Sequence, residues 1–306
     1  MFTADTSLII PTRNRSDKIL HLLNQINKNK INFKEIIIVD SSDRHHKTQI
    51  KKSINKKIQL FNTYPSTTHQ RNLGLQKANS KSKYILFLDD DLEINSTTFK
   101  KMDVGIKKYS QVNDICSFGF NLISGSQKNK IQNFKESKLI EYLGLYSGNP
   151  GKVLESGWHT RISDLKKNTY VEWVYSGAVI FKSHRIKNMK FPNLNRGYNY
   201  LEDLFFSYEL TKKKNRHIII SGARVYNFHF VERNDFSFGL IEIINRHKFV
   251  EKYSKRKINF YFTAVVRMLY LIKNIFRFKF LWAFRFLGNC VGLANCLKKD
   301  LRKISK

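Results

Sequence analysis

The sequence predicts an α/β protein: a doubly wound, mainly parallel sheet flanked by helices, followed by a basic amphipathic helical extension. Three observations carry this expectation. Apolar runs of strand length alternate with segments of helical periodicity over residues 1–110. Two of those runs end in carboxylates, at Asp40 and at Asp89–Asp91. From about residue 236 the pattern changes to long helical stretches crowded with aromatics. Runs that are apolar at every position suit strands covered on both faces, and βα alternation implies parallel strands joined by right-handed crossovers.

Ser7–Pro11 reads as the first strand. Ser16 or Asp17 can cap a helix whose apolar positions Ile19, Leu20, Leu22, Leu23 and Ile26 recur at helical spacing. Glu35–Asp40 is a second buried strand, Lys57–Phe61 a shorter third, Thr67–Asn79 a helix, and Tyr84–Leu88 a strand that runs straight into three aspartates. Ligands of such sheets gather at the carboxyl ends of strands, so Asp40 and Asp89–Asp91 are expected to line one crevice. Adjacent carboxylates repel one another, and hard divalent ions prefer oxygen ligands. On the triplet alone, a metal site and a solvated acidic turn both stand.

The middle of the chain is less regular. Asp114–Leu122 reads as strand and Ser124–Lys130 as loop, while Gly144, Gly148, Pro150, Gly151 and Gly157 punctuate a long loop. Glu172–Phe181 reads as strand with a break at Ser176–Ala178. Leu201–Leu210 is an amphipathic helix with Glu202 and Asp203 in its first turn, where negative charge complements the helix dipole. His217–Ile220 and Ala223–His229 close this part as strands.

The formal charge is +31, from 55 Lys and Arg against 24 Asp and Glu. Such an excess calls for nucleic acid, an anionic bilayer surface or phosphate-bearing substrates. A basic nucleic-acid-binding protein is the alternative reading. No zinc-finger, RRM or helix-turn-helix spacing accompanies the charge, so no specific nucleic-acid partner is expected. Residues 251–306 hold 14 Lys and Arg against 2 Asp and Glu. Ile241–Tyr253 and Phe260–Leu297 have helical patterns, yet no window reaches the roughly 18 apolar residues of a spanning helix. At about 100° per residue, Arg267, Lys273, Arg277 and Arg285 share about a third of the circumference, with Lys279 outside it. A basic stripe opposite aromatic bulk suits a helix lying on an anionic membrane surface. A helical subdomain that packs its aromatics inward is the alternative. Cys116, Cys290 and Cys296 make no Cys-x-x-Cys pair, and the N-terminus shows no secretory signal. A cytoplasmic protein, peripheral on the inner membrane face, is therefore expected.

Five segments, SLIIPTRNR (Ser7–Arg15), IIIVDSSD (Ile36–Asp43), QRNLGLQKA (Gln70–Ala78), YILFLDDD (Tyr84–Asp91) and YLEDL (Tyr200–Leu204), stand in one order. In that order and spacing the chain resembles the family 2 glycosyltransferases over roughly residues 5–235. The resemblance implies a GT-A-type fold, inverting transfer from a UDP-, GDP- or dTDP-sugar, and a glycan or polyprenyl-linked acceptor. It also implies a domain over 1–235, with a nucleotide-sugar half (1–110) and an acceptor half (111–235), ahead of the helical segment 236–306. By resemblance, Pro11, Thr12, Arg13, Asp40, Arg71 and Asn72 lie near the nucleotide. Asp89 and Asp91 hold a divalent cation, Mn²⁺ or Mg²⁺, with Asp90 facing the donor. Asp203 is the base, and Glu202 supports it or contacts the acceptor. His229 stands where many relatives carry a histidine near the metal, although a packed core histidine is an equal reading. Trp158, Trp173 and Tyr175 are candidates to stack on acceptor sugar rings, with core packing at least as good a reading for Trp173. A role in bacterial surface polysaccharide or lipopolysaccharide synthesis extrapolates from the same resemblance.

Overall fold

A computed structural model describes residues 1–43, 45, 49–50, 58–124, 145–195, 199–227, 233–253, 256–276 and 280–304. The expected loop over 125–130, Gly144, His229, Arg277 and Lys279 lie outside the described residues. The chain forms two compact units, one of Met1–Gln127 with Arg161–His229, the other of Lys128–Thr160 with Phe230–Lys306. Residues 128–160, grouped with the first domain by their sequence, thus cluster with the helical unit.

The first unit is built on one eight-stranded sheet: β1 (Thr6–Thr12), β2 (Glu35–Asp40), β3 (Ile58–Asn62), β4 (Tyr84–Leu88), β5 (Ile115–Ser124), β6 (Thr169–Val171), β7 (Ala178–Lys182) and β8 (Arg216–Asn227), in the order β3-β2-β1-β4-β7-β5-β8-β6. The β3-β2-β1-β4 half is parallel, as the alternation requires. β7 runs antiparallel between β4 and β5, and β8 pairs parallel with β5. The longer helices of this unit, among the described residues, are α1 (Ser16–Lys28), α2 (Thr67–Lys77), α3 (Ser96–Tyr109) and α4 (Glu202–Lys212). All seven residues of β1 are buried, which is why its run is apolar without alternation. A Cβ at Gly74 on α2 would collide with Ile9 of β1, so the glycine lets helix and sheet approach closely.

Three local expectations are corrected. Neither Ser16 nor Asp17 caps α1: the preceding residue is Arg15, with no side-chain cap, and the Ser16 hydroxyl bonds the Gln49 amide instead. The segment Glu172–Phe181 is not one strand, because β6 ends at Val171 and β7 begins only at Ala178. The two closing strands are one, β8, continuous through an irregular register opposite Phe120 and Asn121.

The second unit contains α5 (Phe236–Tyr253), α6 (Lys257–Ile275) and α7 (Trp282–Ile304). Its small apolar core joins Trp158, Ile243, Val250, Phe260, Ala264 and Cys296. The cysteines are free. Trp158 stacks on Phe260 and lies under the guanidinium groups of Arg246 and Arg267. Its ring is 2% exposed, so it offers no face to a sugar, and its acceptor-binding role is withdrawn.

Candidate active site

Parallel register brings the carboxyl ends of β1, β2 and β4 together. Thr12 pairs with Asp40 across β1 and β2, and the Thr12 hydroxyl donates to Asp90 Oδ2 at 2.6 Å. Asp40 is fully buried. Its Oδ1 accepts the Ser42 N–H at 2.8 Å, while Oδ2 has no partner among the described residues. A buried acceptor without a donor is costly in a finished core and points to a ligand that supplies one. The Gln70 side-chain amide donates to the carbonyls of Thr12 (2.7 Å) and Val39 (2.8 Å), bracing the two strand ends.

The acidic triplet is held by two arginines. Arg15, half exposed, reaches Asp90 Oδ1 and Asp91 Oδ2 through one nitrogen, each at 3.1 Å. Arg71 is buried and forks: one nitrogen donates to Asp89 Oδ1 at 3.1 Å, the other to Glu202 Oε1 at 2.8 Å. The Tyr175 hydroxyl donates to Asp89 Oδ2 at 2.5 Å, and the Asp89 N–H donates to the Gly177 carbonyl at 2.8 Å. A Cβ at Gly177 would overlap both Asp89 Oδ2 and the Tyr175 ring, so this approach requires glycine. Arg71 therefore ties the end of β4 to the start of α4.

Glu202 and Asp203 open α4 directly after Leu201, whose φ of 77° is left-handed. A branched side chain rarely adopts that conformation, and such strain is concentrated at sites where the following side chains must be aimed. Asp203 accepts the Leu204 N–H at 2.7 Å.

Burial dominates the titration of these groups. It raises Glu202 and Asp203, with Asp203 adding to the shift of Glu202 and Arg71 opposing both. Burial would lower Arg71, but Asp89 and Glu202 outweigh it and hold the guanidinium firmly charged. Burial lifts Asp90 to about 6 despite the Thr12 hydrogen bond and Arg15. It also raises Tyr175 well above its ordinary range, helped by Asp89. Carboxylates thus outnumber cations here, and the excess favours a further cation.

The donor set is all oxygen, which fits a hard divalent ion. Both oxygens of Asp89 are engaged by Arg71 and Tyr175, whereas Asp91 meets the half-exposed Arg15. Among the residues expected near the nucleotide, Pro11 and Thr12 are buried at the end of β1 and Arg13 is exposed. Arg15, two residues on, is the arginine of this loop that reaches the acidic triplet, a contact not anticipated from the sequence. Asn72 is occupied elsewhere: its amide brackets the backbone of Phe191 at 2.8 and 2.9 Å. Trp173 is off any strand, which corrects its placement, and it is buried in keeping with the core-packing reading, so its acceptor-binding role is withdrawn. The Tyr175 hydroxyl is spent on Asp89 rather than turned to an acceptor.

The family model for glycosyl transferase family 2 matches residues 7–160. A search of curated proteins found no match. Among solved structures, the crystal structure of GalNAc-T7 with UDP, GalNAc and Mn²⁺ aligns with a TM-score of 0.55 and 15% identity, over 74% of this chain and 43% of that one. Staphylococcus aureus TarS 1–349 aligns with a TM-score of 0.50 and 19% identity, over 80% and 64%. The mannosyltransferase PcManGT from Pyrobaculum calidifontis, in complex with GDP-Man and Mn²⁺, aligns with a TM-score of 0.54 and 13% identity, over 97% and 87%. The chain therefore spans less than two thirds of the length of GalNAc-T7 and of TarS, and the likeness fixes the fold as GT-A.

Proposed function

The chain belongs to glycosyl transferase family 2, and from this premise we propose that it is an inverting transferase. In this reading it moves a sugar from a nucleoside-diphosphate donor to a hydroxyl of a glycan or polyprenyl-linked acceptor. One observation carries the reading: buried Arg71 links the acidic end of β4 to the acids that open α4. Donor-side and acceptor-side carboxylates thereby share one charge network. GalNAc-T7 and PcManGT, which share the fold, were solved with UDP or GDP-Man and Mn²⁺, and this supports a hexosyl donor and a divalent ion here.

The roles follow from chemistry. Asp40 Oδ2 takes an N–H or hydroxyl of the nucleoside. Asp91, with Asp89 behind it, would hold Mn²⁺ or Mg²⁺; such an ion, when bound, neutralises charge on the departing diphosphate. Asp203 accepts the proton of the acceptor hydroxyl as that oxygen attacks the anomeric carbon. The bond from that carbon to the diphosphate oxygen breaks on the opposite face, and its electron pair leaves with the phosphate. Burial raises Asp203, which makes it a stronger base than a solvated carboxylate. Glu202, held by Arg71, keeps its neighbour oriented. We place this reaction on the cytoplasmic side of the plasma membrane, in assembly of a bacterial surface polysaccharide or lipopolysaccharide. A thermal-shift screen of UDP-, GDP- and dTDP-sugars with and without Mn²⁺ tests the donor assignment. One nucleotide class should stabilise the protein in a metal-dependent way that Asp40→Ala removes. Equal, metal-independent shifts for all three would overturn the assignment.

A further inference from the structure

The helical unit buries several charged side chains and exposes ordered apolar ones. Inside it, beside the small apolar core, lie charged side chains: Glu242, Arg246 and His247 are 6%, 4% and 2% exposed. Arg285 donates to Glu242 at 2.7 Å and Arg246 to the Gly157 carbonyl at 2.8 Å. His247 lies 3.0 Å from Asp300, which also accepts from Lys257 at 2.6 Å and from Tyr261 at 2.8 Å. Of the expected basic stripe, Arg285 is turned onto Glu242, whereas Arg267, whose guanidinium lies over the Trp158 ring, and Lys273 are exposed.

Outside, the apolar side chains are in order. On α6, Ile258, Phe262, Val265 and Leu269 are all exposed, Ile258 at 76%, as is Phe276 just past its end. At ~100° per residue they fall within about 60° of one another. Phe260, Ala264 and Leu271, on the other side of the same helix, are buried. On α7, Phe284, Leu287, Val291 and Leu301 repeat the arrangement within about 100°. Lys273 on α6 and Lys298 on α7 are exposed cations of the same two helices. Exposed apolar side chains in rows of this kind, with Lys298 and Arg302 set within the α7 row, mark an interaction surface.

We infer that these two stripes form a docking surface for an anionic lipid bilayer, with α6 and α7 lying in the plane of the head-group interface. Charge decides the occupant. Residues 251–306 carry 14 cationic against 2 acidic side chains, so a second copy of this chain would set two strongly positive surfaces against each other. Anionic head groups supply the opposite sign, and acyl chains take up the phenylalanines and leucines. Among the described residues no helix is long and apolar enough to cross a membrane, which leaves the in-plane arrangement. This inference rests on the helical unit alone and does not depend on the reaction proposed above.

The test floats the full chain with vesicles of phosphatidylcholine containing phosphatidylglycerol, and with phosphatidylcholine alone. The wild type should float with the anionic vesicles and much less with the neutral ones. Phe262→Glu with Leu269→Glu should lower partitioning at least about tenfold, with the far-UV CD spectrum and thermal melt unchanged because both side chains are exposed. Lys273→Glu with Lys298→Glu should remove the preference for anionic vesicles while leaving the fold intact. Wild-type protein that stays in the aqueous phase would overturn the inference. So would apolar variants that float as the wild type does, or a dimer in sedimentation that those substitutions break.

Discussion

Replacing Arg71 by methionine removes the cation that pairs with both Asp89 and Glu202, and its effect follows from the geometry. The Arg71 side chain is 4% exposed, and its carboxylate partners lie at 3.1 and 2.8 Å. Deleting one partner of a buried ion pair costs about 3–5 kcal/mol, because the charge left behind has neither water nor counter-ion. Two carboxylates are orphaned here, so the upper part of that range is expected at pH 8, a large share of a typical ~5–15 kcal/mol total. The penalty has a sign in pH. Burial already raises the folded-state affinity of Glu202 for a proton above its ordinary value of 4.5, and losing Arg71 raises it further. A group with a raised folded value binds more protons in the folded than in the unfolded chain, so stability falls as pH rises through that window. Urea denaturation of Arg71→Met should therefore show a deficit that is large at pH 8 and much reduced at pH 5. Arg71→Lys, which keeps the charge without the fork, should fall between. A deficit below about 1 kcal/mol at pH 8, or one equal at both pH values, would refute the bridging role.

Asp90→Asn should stabilise the ligand-free protein at pH 8: Asp90 titrates at about 6 rather than 3.8, and its ionisation costs about 3 kcal/mol above that pH by the ~1.4 kcal/mol per unit conversion. At pH 4 the two proteins should be alike; denaturation at both pH values checks this, and a variant less stable at pH 8 contradicts it. Arg15→Ala should tighten Mn²⁺ binding to the donor-free protein about fivefold in calorimetry, since a half-exposed ion pair worth about 1 kcal/mol no longer competes. Unchanged or weaker binding would count against Asp91 as the metal carboxylate. Gly177→Ala should lower activity and cost about 1–3 kcal/mol by overpacking Tyr175 against Asp89; neutral behaviour in a thermal melt and a transfer assay would show that the approach is not tight.

The parallel half of the sheet was legible because its strands are apolar at every position and end in aspartate: β2 and β4 have the bounds read from sequence. The crevice was legible for the same reason, since parallel register brings strand ends together. What the sequence withheld was direction and long-range pairing. Nothing local marks Arg15 as the partner of Asp90 and Asp91, and the partner of Arg71 at Glu202 is 131 residues away. Trp158 looks like a sugar platform in a glycine-rich loop, and only the helices packed around it reveal a core residue. The arginines at 267 and 285 share an arc on a helical wheel, but a wheel is silent about Glu242, which draws Arg285 off the outer face.

The assignment of proton transfer to Asp203 is tested most directly by comparing Asp203→Asn with the wild type in two assays. These are donor binding by calorimetry with Mn²⁺, and transfer to an authentic acceptor in a single turnover. Loss of a general base typically costs about 10²–10⁴-fold in rate, so transfer should fall by that factor while donor affinity stays within about twofold, a difference of roughly 0.4 kcal/mol. Full transfer activity in Asp203→Asn would show that the proton leaves by another route.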